Sequence, residues 1–176
     1  MINEKSLLDG GEPLEIERKF LLSRPSEEFL KSIADAREDI IQTYLPIEDN
    51  KFRRVRKTLK EDGKDYYYYF EKLQVSDTTR IERMQEITQE EYTELLMNAD
   101  PESNPIRKTR YYVKKDPLIF EIDLFDELPD YAIAEVELED DNTVVEFPEG
   151  FDVIREVTRD KRFGNALLAK NGFDII

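Results

Sequence analysis

The chain has 176 residues, of which 41 are acidic and 26 basic, for a net charge of −15. That balance argues against a nonspecific nucleic-acid binder, although a basic site inside an acidic shell stays open. There is no cysteine and no histidine, which excludes disulfides, thiolate or imidazole metal sites and Ser-His or Cys-His nucleophiles; any metal must take oxygen ligands, favouring Mg²⁺ or Mn²⁺.

Residues 1–13 contain Asp-Gly-Gly and no apolar core. They read as a flexible tail rather than a signal peptide, with residues 14–176 as a single domain. No apolar run is long enough to span a bilayer, so a cytoplasmic protein without a membrane partner is expected. From Leu14 to Leu22 the sequence predicts a strand with Glu15, Glu17 and Lys19 on one face and Ile16, Arg18 and Phe20 on the other. Ser26, Glu27 and Glu28 start a helix carrying Phe29, Leu30 and Ile33. Ile40 to Leu45 reads as a strand and Pro46 to Asn50 as a turn. Lys51 to Lys60 and Asp65 to Gln74, joined through Asp62-Gly63, form the clearest hairpin. A strand over Thr78 to Ile87 precedes a helix that opens on Thr88 and Glu91, a capping box. Ile106 to Lys115 and Leu118 to Phe125 are strands meeting at Asp116-Pro117, and Tyr131 to Glu139 is another. Asp141 to Glu146 is expected to start a short helix, Val153 to Val157 to be extended or a short strand, and Asn165 to Lys170 to be helical. About eight strands in hairpin order predict an antiparallel barrel or sandwich.

Charge recurs at a two-residue spacing along these strands: Arg54 and Arg56, Lys72, Arg80 and Glu82, Lys108 and Arg110, Glu121 and Asp123, Glu135 and Glu137. On one strand this describes a solvated outer face. On seven it fits a closed sheet better, with apolar residues packed outside and the charges lining a wet interior. The bases would then converge on something polyanionic. Glu15, Glu17, Glu135 and Glu137 would be crowded unless a divalent cation sat among them. A polyphosphate with its metal satisfies both sets, Arg acting as a bidentate donor and Lys as a point charge.

The Glu15-Ile-Glu-Arg-Lys19 strand resembles the E-x-E-x-K signature of the CYTH superfamily, the triphosphate tunnel metalloenzymes. The likeness continues through Gln42-Thr-Tyr44, Arg54-Val-Arg56, Lys72, Arg80-Ile-Glu82, Lys108-Thr-Arg110, Phe120-Glu-Ile-Asp123, Ala134-Glu-Val-Glu137 and Val157-Thr-Arg-Asp-Lys-Arg162 with Asn165. It departs at Met84, where some relatives carry an acid. The resemblance implies a mainly β (α+β) fold, an eight-stranded antiparallel closed β-barrel with a few helices packed outside. It implies that Glu15, Glu17, Glu135 and Glu137 hold one or two Mg²⁺ or Mn²⁺ ions, and that Lys19, Arg54, Arg56, Lys72, Arg80, Lys108, Arg110 and Arg162 bind the phosphates. Lys19, Glu15 and Glu17 are the catalytic candidates, with Tyr44, Glu82, Glu121 and Asp123 accessory and Arg18 pointing outward. The expected activity is metal-dependent hydrolysis of a linear triphosphate, foremost inorganic tripolyphosphate. The alternatives are adenylate cyclase, thiamine or nucleoside triphosphatase, or a noncatalytic polyphosphate- or nucleotide-binding module. The expected partner is a small-molecule triphosphate, with no nucleic acid, and a homodimer is conceivable.

Overall fold

The computed structural model describes residues 15–76 and 78–176, so the expected tail at residues 1–13 and the side chain of Glu15 lie outside the described residues. Strands β1 (Glu15–Ser23), β2 (Ala36–Glu48), β3 (Lys51–Lys60), β4 (Asp65–Gln74), β5 (Thr79–Glu86), β6 (Ile106–Lys115), β7 (Leu118–Leu124), β8 (Tyr131–Leu138) and β9 (Val153–Glu156) make one sheet. Its order is β5-β4-β3-β2-β6-β7-β8-β1-β9, with a further β5–β1 pairing. Helices are α1 (Glu27–Ile33), α2 (Gln89–Leu96) and α3 (Asn165–Asn171), the last preceded by a single 3₁₀ turn at Lys161–Phe163.

The closure depends on β1. One edge pairs with β8 from Ile16↔Leu138 to Ser23↔Tyr131. The other edge is divided. Glu15↔Arg80 and Ile16↔Thr79 join β5 and close strands β1 to β8 into an antiparallel barrel. Further along, Phe20, Leu21 and Leu22 pair with β9, a ninth strand laid beside the barrel.

Because alternate residues face opposite sides, the apolar set lies outside. Phe20, Leu22, Tyr111, Val113, Phe120, Ile122, Ala134 and Val136 form a buried cluster on the outer face of β1, β6, β7 and β8, covered by Leu30 of α1. A second cluster packs α2 through Tyr92 onto Leu45 and Val55, with Tyr67 and Tyr69 against it. A third joins Phe163, Leu168 and Ala169 near α3 to Leu21, Tyr44, Ile106, Phe125 and Ile133. Register sets Leu21, Tyr44, Ile106 and Ile133 on the same strand faces as the inner polar residues Lys19, Gln42, Lys108 and Glu135. Helix α3 therefore caps the barrel interior with apolar packing.

Two local expectations change. The turn after β2 is only Asp49 and Asn50, at φ 51° and 58°, with Glu48 paired to Lys51; two left-handed residues match the twist of a tight hairpin, so β2 runs through Pro46. Residues 141–146 are not helical. Asp140 accepts the Asn142 amide at 2.7 Å in a turn, and the chain continues extended so that Phe147 reaches Phe120 and Phe20, with centroids at 4.7 and 5.1 Å. Gly150, at φ 97°, completes this cover, because a Cβ there would lie 2.6 Å from the Phe29 ring. Val153–Glu156 is a true strand. The barrel's stability rests on this outer shell. Phe120→Ala is expected to cost about 3–5 kcal/mol in urea unfolding; a loss below 1 kcal/mol would contradict the outer-core assignment.

Candidate functional site: a charged tunnel

The barrel encloses a tunnel of about 880 Å³. Its lining includes Glu17, Lys19, Gln42, Tyr44, Arg54, Arg56, Phe70, Lys72, Arg80, Glu82, Lys108, Arg110, Glu121, Glu135 and Glu137. Strand alternation brings together nearly every charged residue that the spacing singled out. Three of the predicted residues differ. Glu15 has its backbone paired with Arg80, but its side chain is outside the described residues. Asp123 faces inward yet is fully buried behind Lys108 and Arg110. Arg162 is a correction: it is exposed and pairs with Asp160 at 2.6 Å, while Lys161 lines the tunnel instead. The 3₁₀ turn has no two-residue alternation, so strand parity could not tell which neighbour points inward.

The charges are sorted by strand. On β1 and β8, Glu17 and Glu137 are direct partners across the ladder, as are Lys19 and Glu135. Lys19 Nζ lies 3.1 Å from Glu135 and 3.7 Å from Glu17. On β6 and β7 the bases are already neutralised. Lys108 donates to Asp123 at 2.6 Å, and Arg110 grips Asp123 at 2.6 and 2.7 Å, Glu135 at 3.3 Å and also Glu121. On β3, β4 and β5 the bases outnumber the acids. Arg80 donates to Glu17, and Arg54 leans toward Glu82 at 3.5 Å. Arg56 and Lys72 make no ion pair among the described residues.

The two inward guanidinium groups of β3 stack on one ring, Arg54 at 4.5 Å and Arg56 at 4.6 Å from the Phe70 centroid. Phe70 was not singled out from sequence. The available signal was its place two residues from Lys72, hence on the same face. The stacking holds two like charges side by side while leaving their edges free. Arg54 Nε, Arg56 Nε and Gln42 Oε1 are buried without hydrogen-bond partners. Gln42 Nε2 donates to the Tyr44 hydroxyl at 2.8 Å.

The crowding is reflected in proton affinity. Burial, with Arg80 and Arg54 nearby, pushes Lys72 down to about 8. Burial and the Arg54 and Arg110 guanidinium groups depress Arg56. Burial pushes the Glu121 carboxyl up to about 7 despite Arg110. Glu137 is also raised, by burial first and by Glu17, Glu82 and Glu135 around it. Burial opposes ionisation of Glu135 as well, but Lys19 and Arg110 outweigh it and hold that carboxyl well below the usual range.

Chemically, buried N–H donors without acceptors invite a ligand rich in anionic oxygens. The acidic wall has an all-oxygen donor set suited to a hard divalent cation. Among the described residues no three carboxylates converge as ligands, because Glu17 and Glu135 are turned to their bases. Glu137, more exposed than its neighbours, stands opposite Glu17 and has no ion pair among the described residues, so its carboxylate is open to a cation.

A closed antiparallel barrel with opposed basic and acidic inner walls is the class of protein these features define. No protein-family model and no curated protein matches the chain. Solved structures do. The inorganic triphosphatase NE1496 is 27% identical, with 88% of this chain and 93% of that one covered at a TM-score of 0.55. PH1012 from Pyrococcus horikoshii OT3 is 20% identical, covering 77% of this chain and 81% of that one at 0.54. HpAC1 from Hippeastrum is 15% identical, covering 72% and 80% at 0.52. The latter two share the fold. With the signature residues in place inside such a barrel, the chain is similar in fold and inner-wall residues to the CYTH-type triphosphatases.

The two walls respond oppositely to charge removal. Arg56→Met is expected to stabilise the ligand-free protein by about 1–3 kcal/mol, because it removes a largely desolvated charge that has no ion pair among the described residues. Arg110→Met strands Glu121 and leaves buried Asp123 with Lys108 alone, and is expected to cost about 3–5 kcal/mol. Denaturant unfolding of both variants checks the pair; equal signs would refute the sorting of charge described above.

Proposed function

We propose that the protein hydrolyses a linear triphosphate, with inorganic tripolyphosphate as the preferred substrate. The observation that carries this reading is the basic wall of β3 and β4. There, among the described residues, Arg56 and Lys72 have no carboxylate partner, and buried Arg54 Nε and Arg56 Nε have no acceptor. A ligand with many charged oxygens relieves the repulsion and fills the empty hydrogen bonds together. The likeness to the inorganic triphosphatase NE1496 over 88% of the chain supports the choice among triphosphates.

In this reading Arg54, Arg56, Lys72 and Arg80 orient the phosphates, the arginines through paired N–H donors and Lys72 as a point charge. Lys108 and Arg110, tied to Asp123, brace the floor and reach the ligand at lower cost in mobility. Lys19, held between Glu17 and Glu135, presents an ammonium to the terminal phosphate and so stabilises charge as it develops. Glu17, Glu135 and Glu137, with Glu15, would hold Mg²⁺ or Mn²⁺. When bound, the metal supplies Lewis-acid neutralisation of phosphate oxygens and polarisation of water. Without histidine, the proton of the attacking water goes to a carboxylate. Glu137 suits that task, since partial desolvation and the neighbouring acids raise its proton affinity above the ordinary carboxylate value. Water is excluded at one end of the tunnel by the apolar cap under α3.

The test is a substrate panel of tripolyphosphate, ATP and thiamine triphosphate with Mg²⁺ or Mn²⁺, followed by chelation. Phosphate release from tripolyphosphate that is lost on chelation, without cyclic AMP from ATP, is the expected outcome. Cyclic AMP formation would replace hydrolysis by cyclisation, and metal-dependent binding without turnover would leave a binding module.

Affinity should also depend on pH with a defined sign. Below about 8 Lys72 is an ammonium; above it the group is neutral. Glu121 gains negative charge above about 7. Both changes weaken anion binding, so affinity for tripolyphosphate is expected to fall as pH rises from 7 to 9. Ligand-free stability moves the other way for Lys72: its lowered folded pKa penalises the charged form, and that penalty fades above pH 8. Calorimetric titration of wild type and Lys72→Arg, which should show a shallower decline, decides the matter; a rise in affinity with pH would contradict it.

A further inference from the structure

Lys19 sits where the edge of β1 has no strand neighbour. Before it, β5 pairs with Glu15 and Ile16. After it, β9 pairs with Phe20, Leu21 and Leu22. In the gap the Lys19 backbone is held by two residues that follow β9. Val157 N donates to the Lys19 carbonyl at 2.8 Å. Lys19 N donates to the Thr158 hydroxyl at 3.0 Å. A side-chain oxygen thus replaces one rung of the ladder beside the lysine.

The polarity of that hydroxyl is imposed from outside the barrel. Thr158 Oγ1 donates its one proton to Glu156 Oε1 at 2.6 Å, which leaves a lone pair for the Lys19 amide. The Glu156 carboxylate is in turn gripped by Arg18, Nε at 2.9 Å and Nη2 at 2.6 Å. Arg18 also donates to the Thr143 carbonyl at 3.2 Å. The hydrogen bond from Arg18 is the leading cause of a lowered Glu156 proton affinity, so the carboxylate stays an acceptor. Exposed ion pairs contribute little to stability in general. This one is bidentate and feeds a chain of bonds that ends on the lysine backbone.

We infer that Arg18, Glu156 and Thr158 form a positioning relay that fixes Lys19 at the tunnel wall. Its catalytic consequence rests on the reading of Lys19 given above. Thr158 borders the tunnel while Arg18 and Glu156 lie outside its lining; the relay sets where the β1 backbone, and with it the ammonium, stands relative to Glu17 and Glu135. A salt bridge on the outer surface thereby acts on a group inside the tunnel.

Thr158→Val keeps the shape and removes the hydroxyl, and Thr158→Ser retains it. In hydrogen-exchange NMR, Thr158→Val is expected to speed exchange of the Lys19 amide about tenfold, the scale of one lost hydrogen bond, with Thr158→Ser near wild type. Unchanged exchange at Lys19 overturns the relay. In kinetics, Thr158→Val is expected to lower kcat for tripolyphosphate about tenfold with KM within about twofold. Thr158→Ser should rescue, and no further loss should occur in a Lys19→Met background. An equal loss in that background overturns the relay in favour of direct contact or fold damage. If the amide exchanges faster while Lys19→Met leaves binding and turnover intact, the relay stands and the role given to Lys19 falls. Glu156→Gln, which weakens the Arg18 grip, should reproduce the kcat effect in smaller measure, and full activity in it would remove Arg18 and Glu156 from the relay.

Discussion

Uncompensated positive charge inside a closed sheet is the constraint on which the rest of the molecule turns. Arg56 and Lys72 are largely withdrawn from water with no ion pair among the described residues, and Arg54 stands beside Arg56 on the same strand face. Burying such groups is costly unless something compensates them. The barrel meets part of that cost locally. Phe70 offers both guanidinium groups one aromatic face, and Glu82 leans toward Arg54. The remainder persists in the ligand-free protein, in keeping with sites that trade stability for function.

That cost explains where the stabilising packing is placed. A conventional small barrel fills its interior with side chains. Here the interior is polar, so apolar burial moves outside and to one end. Helix α1 and the extended stretch through Phe147 cover β1, β6, β7 and β8; α2 covers β3 and β4; α3 caps the lumen. The extended cover also clarifies why Asp141 to Glu146 does not become a helix. An extended chain delivers Val145 and Phe147 to the sheet, and that gain in buried area exceeds the weak helical preference of a short polar segment.

The same constraint divides the bases into two populations that look alike in sequence. Lys108 and Arg110 are locked to Asp123, which makes them structural as well as electrostatic. Arg56 and Lys72 lack such partners and are the ones available to a ligand. The division follows from β7 lying next to β6, which brings Asp123 opposite Arg110, whereas β4, next to β3, offers Phe70 opposite Arg54. A change of strand neighbour would reverse the roles without any change in composition.

The alternation of charged and apolar residues already specified which side chains share a face, and so the membership of the inner wall from Glu17 through Glu137 was readable from spacing alone. This works because strand geometry is strictly periodic, and a period of two needs no partner to be recognised. Spacing also marked most strands and the capped helices, whose signals are local. It could not reveal that the sheet closes through two residue pairs at Glu15 and Ile16, nor that Asp123 sits behind Lys108 and Arg110. Those depend on register between segments far apart in the chain. The inward turn of Lys161 in place of Arg162, and the hold of Thr158 on Lys19, were likewise beyond spacing, since the segment after β9 has no period. Faces are a property of one strand; pairing, depth and which charge stays uncompensated are properties of neighbours, and neighbours exist only once the chain has folded.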